Sequence, residues 1–390
     1  MDLVPLLQTL IRIDSTSSRP NGPVLDLLEG ELRPLGFTTR RTGWTDADGV
    51  EKQNLVCRRG PDLPGGLALI GHTDCVPFDP AWSEALTAPL RDGYVLGRGA
   101  ADTKGFLAAA VTAARRTRAG AQPLTLLFTA DEEVGCLGAK RALAEGRVRP
   151  RHAIIGEPTS LVPVRAHKGY CAVEVEVTGV EGHSAYPEVG ASAIHAVGRL
   201  FAGLERIGGE LKQVTDAAFD PPFTTWNVGV IAGGKARNII AGSCTFSYEW
   251  RPLPGQEPRH ALRLLEAACG RLVTESGNRL QVAISPLRTD PAAVTSPDAE
   301  IVRYLEQQSG QASTTVPFGT ELPEVTGMGA EGVVFGAGDI RVAHRTGERV
   351  AVAELERCAD ILTGAIERFC GGARPLITRP GVVDNPPRRG

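Results

Sequence analysis

No apolar run in this 390-residue sequence approaches the roughly 20 residues that a membrane-spanning helix needs. The opening Met1-Asp2-Leu3-Val4-Pro5 lacks a basic stretch followed by an apolar core and so does not resemble an export signal. No membrane partner is expected, and the chain reads as cytoplasmic. Paired cysteines are missing too. Cys57, Cys75, Cys136, Cys171, Cys244, Cys269, Cys358 and Cys370 form no C-x-x-C pair, which argues against a thiolate zinc site and suits reduced, mostly buried thiols. Nor does one charge dominate. With 42 Lys and Arg against 45 Asp and Glu, a formal net charge of -3 and a pI of about 6.2, nothing draws the protein to nucleic acid or anionic lipid. A small-molecule substrate fits better. The length exceeds what one core usually serves, so two domains, or one carrying an insertion, are expected.

What is present first is alternation. Helical patterns over Leu3 to Ile13, Gly22 to Leu35, Thr103 to Arg118 and Ala139 to Glu145 are interleaved with apolar strands at Leu67 to Ile70, Leu124 to Phe128 and Ala153 to Ile155. This rhythm predicts an α/β fold with a mainly parallel sheet flanked by helices. From Lys168 the rhythm changes. A strand at Tyr170 to Thr178, a helix at Ala191 to Ile207, strands at Thr224 to Ile231 and Cys244 to Trp250, a helix at Pro258 to Glu275 and a strand at Arg279 to Ile284 follow. That β-α-β-β-α-β order is ferredoxin-like, so residues 168–287 are expected to form an inserted α+β domain within a first domain of 1–167 plus 288–390. A helix at Pro297 to Ser309, a strand at Gly332 to Phe335 and a helix at Ala351 to Arg368 resume the alternation, and 371–390, rich in Pro, Gly and Arg, is expected to be an irregular tail.

The chemistry gathers at strand ends. Asp131-Glu132-Glu133 follows the strand Leu124 to Phe128 directly, and three acids so close repel unless cations or protons intervene. A metal is the economical explanation. His72 and Asp74, two apart after Ile70, face the same way in extended chain, so Asp74 can accept the ring N–H and aim the other nitrogen at a metal; a histidine merely hydrogen-bonded at a strand end fits the motif equally. Asp102 precedes the Ala-rich helix, where it could serve as N-cap, as ligand or as both, while its glycine neighbours match no phosphate-binding motif. Glu157 follows a third strand and His344 a fourth. In an open α/β sheet that edge is where ligands bind. Two imidazoles and three carboxylates without a thiol suit two zinc ions, with cobalt or manganese as alternatives. One acid of Glu132-Glu133 is then left to act as general base.

Taken in order, Gly71-His72-Thr73-Asp74, Gly97 to Gly105, Asp131-Glu132-Glu133, Gly156-Glu157-Pro158 and Ala343-His344 resemble the dinuclear zinc aminoacylase and carboxypeptidase family. The resemblance implies His72 and Glu157 on one zinc, Glu133 and His344 on the other, Asp102 bridging, Glu132 as base and Asp74 in support. It implies that 168–287 is a lid and dimerisation domain, hence a homodimer. Gly182-His183-Ser184-Ala185 matches the family's lid histidine, which helps hold the oxyanion, sometimes across the dimer; a strand-to-helix cap completed by Ser184 is the plainer alternative. Asn238 and Arg251 match lid positions associated with the substrate carboxylate, although a surface ion pair also explains an arginine there.

Ala166 to Tyr170, Glu133 to Ala139, Gly338 to His344 and Phe318-Gly319-Thr320-Glu321 most resemble the acetylornithine deacetylases within that family, whereas Arg345-Thr346-Gly347-Glu348 departs from their more usual Lys-Pro-Asp-Glu. The implied reaction is hydrolysis of an N-acyl amino acid such as N-acetyl-L-ornithine, with Glu321 meeting the ornithine ammonium. Succinyl-diaminopimelate, acetylcitrulline and acidic peptides are rival substrates. A metal-stabilised binding protein without catalysis is the rival from another class.

Overall fold

The computed structural model describes residues 1–371. The tail expected at 371–390 therefore lies, beyond its first residue, outside the described residues. A nine-stranded sheet runs in the order Thr38–Thr45, Glu51–Arg59, Leu124–Thr129, Leu67–His72, His152–Ile155, Glu331–Val334, Val164–His167, Ala293–Val294, with Thr314–Val316 beside Val164–His167. The four middle strands, from Leu124–Thr129 to Glu331–Val334, are mutually parallel. Leu67–His72 and Leu124–Thr129 are buried at every position, which is why they read as continuous apolar runs.

Helices cover both faces. Lys104–Arg116 is buried throughout its first eleven residues because alanine lets it lie close against the sheet. Gly156 shows how close: a Cβ there would lie 2.1 Å from Phe106 Cδ1 on that helix. Leu3–Arg12 buries Leu3, Leu6, Leu7 and Leu10, the spacing of one helical face, and packs with Lys104–Arg116 and the final helix Val352–Cys370 in one core. The sequence reading missed the antiparallel hairpin Thr38–Thr45 with Glu51–Arg59. Thr38–Thr45 is half-exposed, and the buried positions of Glu51–Arg59 include Lys52, Asn54 and Arg59, so neither strand carries a clean apolar alternation.

A separate antiparallel sheet has the order Thr225–Gly233, Ser243–Arg251, Tyr170–Thr178, Gln281–Asp290. Helices Ala193–Leu211 and His260–Glu275 pack on it. This is the ferredoxin-like arrangement, with its own core built on Val173, Val175, Val177, Leu204, Phe246 and Leu265. The expected boundary at 287 falls inside the returning strand, which continues to Asp290 in register with Tyr170. Among the described residues no helix is long and apolar enough to cross a membrane.

Candidate metal centre

Parallel pairing aligns His72 with Thr129 and Ile70 with Ile155. The residues that follow, His72 to Asp74, Asp131 to Glu133 and Glu157, therefore emerge along one edge of the sheet. His72 is 1% exposed. Its Nδ1 lies 3.0 Å from the Asp74 carbonyl oxygen and donates to it, leaving Nε2 3.1 Å from Asp102 Oδ1. The expectation that the Asp74 carboxylate takes the ring N–H is corrected: its Oδ1 stands 3.6 Å away. That carboxylate is engaged elsewhere. It accepts from Ser17 Oγ at 2.8 Å and from the backbone N–H groups of Glu132 at 3.1 Å and Glu133 at 3.3 Å. Asp74 thus supports the acidic turn through its carboxylate while keeping that carboxylate within ion-pair distance of the imidazole.

Asp102 sits between two imidazoles. Its Oδ1 faces His72 and its Oδ2 lies 3.1 Å from His344 Nε2, which is 3.2 Å from Glu133 Oε1. Three sets with converging ligand atoms result, His72 with Asp102 and Glu157, Asp102 with Glu133 and His344, and His72 with Glu132 and Glu133. The first two share Asp102, and their donors fit a pair of divalent cations. The helix N-cap reading of Asp102 does not hold, because the helix begins at Lys104 with Thr103 as its cap residue. Asp102 is held by Glu348 instead, which accepts the backbone N–H groups of Ala101 at 3.0 Å and Asp102 at 3.1 Å while pairing with Arg98 at 2.6 Å. His344 reaches the centre with φ +58, and the acidic turn has Asp131 and Cys136 at +59 and +54. Left-handed backbone at non-glycine residues costs about 1–3 kcal/mol each and gathers at functional sites.

The charges explain why the cluster favours cations. Burial, together with Glu133, Glu321 and Asp102, pushes Glu132 up to about 8 against the pull of His72. Burial and the Asp102 charge raise Glu157 well above the usual carboxylate range. Burial would raise Asp102 as well, but hydrogen bonds from His344 and His72 hold it below that range. Hydrogen bonds to Asp102 and Glu133 take His344 up to about 10. Dications would supply the positive charge that lets these groups stand together.

A cavity of about 350 Å³ opens onto the cluster, lined by Asp102, Glu132, Glu133, Glu157 and His344 on one side and Tyr170, Arg251 and Arg288 from the antiparallel sheet on the other. Of the three substrate residues expected from the sequence, Arg251 alone lines it. Asn238 and His183 lie on neighbouring segments and do not line the cavity: Gly182–His183 pairs with Ile239–Ile240, and Ser184 N–H donates to the Asn238 carbonyl at 3.1 Å. His183 is exposed and accepts from the Ala185 N–H at 3.1 Å. Ser184 caps no helix; Ser192 does, accepting from the His195 N–H at 3.3 Å. Glu321 is fully buried instead of facing the cavity, and burial pushes it up to about 7. Its meeting with a substrate ammonium is therefore not what this arrangement presents.

Sequence reasoning passed over Tyr170, Arg288, Arg98 and Glu348. Arg98 and Glu348 are 250 residues apart, so no local spacing marks them. The departure at Arg345-Thr346-Gly347-Glu348 nonetheless keeps its last acid, which was the available signal.

The sequence matches the peptidase family M20/M25/M40 over residues 68–368. The chain belongs to that family. Among relatives of this M20-family chain, the acetylornithine deacetylase of Myxococcus xanthus is 50% identical over 378 residues, covering 95% of this chain and 99% of the relative. That of Pasteurella multocida is 35% identical, covering 93% and 95%. In fold, the chain is similar to a Staphylococcus aureus tripeptidase (TM-score 0.75, 20% identity, 94% of this chain and 98% of the other). A Sulfolobus solfataricus M20-family metallo-carboxypeptidase is similar at TM-score 0.74, with 15% identity and coverage of 95% and 99%. At such identities these likenesses speak for the α/β fold alone, and that fold is the one read from the sequence.

Proposed function

We propose that this chain is a metal-dependent amidohydrolase that converts N-acetyl-L-ornithine and water to L-ornithine and acetate. The observation that carries the reading is Asp102, whose two oxygens address His72 and His344 and so divide five ligands into two sets around one shared carboxylate. Full-length similarity to acetylornithine deacetylases supplies the substrate.

His72, Asp102 and Glu157 would hold one cation, and Asp102, Glu133 and His344 the other. Zinc suits these donors, with cobalt or manganese as substitutes. When bound, the pair would polarise the amide carbonyl and lower the pKa of the attacking water. Glu132, beside Glu133 at the cavity wall, takes a proton from that water and passes it to the departing amine. Asp74 fixes the backbone of both glutamates, and Arg251 receives the substrate carboxylate.

Residues 168–287 act as lid and dimer interface in this reading. Their separate core supports the first role, and the exposed Val230 and Ile231 on the edge strand Thr225–Gly233 support the second. His183 lies outside its own cavity, which favours delivery to the oxyanion by lid closure or by a partner subunit. All eight cysteines are free and buried, in keeping with a reducing, cytoplasmic setting.

Turnover on acetylornithine, acetylcitrulline and succinyl-diaminopimelate tests the substrate. A clear preference for acetylornithine is expected, and equal or greater turnover of either rival would overturn that choice.

A further inference from the structure

One strand grips the acidic turn from behind. The ladder between Glu51–Arg59 and Leu124–Thr129 ends where Leu55 meets Phe128, and the residues before Leu55 run on beside the segment that carries Glu132 and Glu133. Lys52 and Asn54, two apart and so on one face of the strand, are each 1% exposed. Asn54 holds both ends of that segment. Its Oδ1 accepts from the Ala130 N–H at 3.3 Å, and its Nδ2 donates to the Gly138 carbonyl at 2.8 Å. The fit is close, since a Cβ on Gly138 would lie 2.5 Å from Asn54 Oδ1.

Lys52 holds the middle. Its Nζ lies 3.0 Å from Oδ1 of the buried Asp131, and among the described residues no other Lys, Arg or His pairs with that carboxylate. Asp131 is where the chain turns out of its strand, with φ +59, a conformation that the short polar Asp side chain tolerates better than most. The same Nζ donates to the Ser17 carbonyl and, at 3.1 Å, to that of Arg19. Ser17 in turn donates to the Asp74 carboxylate that accepts the Glu132 and Glu133 N–H groups. One ammonium thus reaches the turn by two routes, directly through Asp131 and through Ser17 and Asp74.

Charge explains why a cation stands there. Of Asp131, Glu132 and Glu133, Asp131 alone belongs to none of the converging ligand sets, so no bound ion would offset it. A buried charge persists when it is paired, and Lys52 is the partner. A neutral donor could bond the same carboxylate but would leave its charge against Glu132. We infer that Lys52 is a positioning residue for the reaction: by fixing Asp131 and the Ser17 loop, it sets the acidic turn so that Glu133 faces the metal centre and Glu132 stays free as base. This rests on the proposed amidohydrolase reading and adds to it a residue that touches neither substrate nor metal.

The test compares wild type, Lys52→Met, Lys52→Arg and the double variant Lys52→Met/Asp131→Asn. Thermal melts establish folding, kinetics on N-acetylornithine give kcat and KM, and chelator competition gives zinc retention. Lys52→Met should lower kcat by about 10–100-fold with KM little changed, and weaken zinc retention by a similar factor, the usual effect of disturbing a support of metal ligands. Lys52→Arg should restore part of both. The double variant strands no buried charge, so it should melt nearer to wild type than Lys52→Met does, yet stay low in kcat and zinc retention. That split separates positioning from stability, and the double variant carries the test should Lys52→Met fail to fold. Recovery of kcat and zinc retention in the double variant overturns the inference, as does a folded Lys52→Met that matches wild type in both. Wild type that hydrolyses no N-acyl amino acid would refute the amidohydrolase reading itself, and zinc retention would still decide the role of Lys52.

Discussion

The Asp74 carboxylate accepts the backbone N–H of Glu132 at 3.1 Å, tying the residue that follows one parallel strand to the acidic turn that follows its neighbour. Its other oxygen accepts from Glu133 N–H at 3.3 Å. In Asp74→Asn the amide NH2 would confront one of these N–H donors. Kinetics should show activity lower by about 10–100-fold, the usual effect of disturbing a group that supports metal ligands. Wild-type activity would mean that the turn holds its shape without Asp74.

Glu132 and Glu133 are adjacent yet take different work. Glu133 lies 3.2 Å from His344, whereas Glu132 contacts the Cys136 thiol and, although its oxygen converges with His72 and Glu133, lies in neither of the two sets that share Asp102. Glu132→Ala should keep its metal content on elemental analysis and lose at least roughly 100-fold in kcat, the lower range for a general base. Near-normal turnover would remove Glu132 from that role.

Glu348 and Arg98 form a buried pair, 0% and 5% exposed at their side chains. Removing one partner strands the other charge away from water. Urea unfolding of Glu348→Ala should report a loss of about 3–5 kcal/mol. Metal affinity should fall as well, since the Ala101 and Asp102 N–H groups lose their acceptor. A loss within about 1 kcal/mol would show that the pair contributes little.

His167 supplies a pH dependence. Its ring is buried, its Nδ1 donates to the Lys168 carbonyl at 2.7 Å, and burial lowers it to about 4. Above an unfolded value of about 6.5 the ring is neutral in both states and adds no pH dependence. Between about 6.5 and 4 the unfolded chain takes a proton that the folded chain refuses, so stability falls as pH falls. The contribution lost by pH 5 is about 2 kcal/mol. Denaturant titrations at pH 7 and pH 5 should show a smaller difference for His167→Gln than for wild type; equal differences would assign the acid sensitivity to other groups.

The ligands were legible because each stands next to an unmistakable strand or turn. His72, Glu133 and Glu157 follow apolar runs that can be little else than buried parallel strands, and the sheet then brings them to one edge. Their supports were not legible. Asp74 was expected to bond the imidazole two residues away, but the Glu132 and Glu133 N–H groups arrive from another strand and compete for it. Ser192 rather than Ser184 caps the helix at Ala193, because His183 belongs to a small pairing with Ile239 that local sequence does not reveal. Arg288 and Tyr170 escaped notice for a similar reason. Their approach to Glu132 is made by two sheets meeting, and neither strand carries that information alone.

The central claim is that Asp102 joins two cation sites required for activity. Metal analysis of the purified chain, paired with activity before and after exhaustive chelation, tests it most directly. The account predicts up to two divalent ions per chain, loss of activity when they are removed, and recovery when zinc or cobalt is returned. Full activity in the metal-free protein would contradict it.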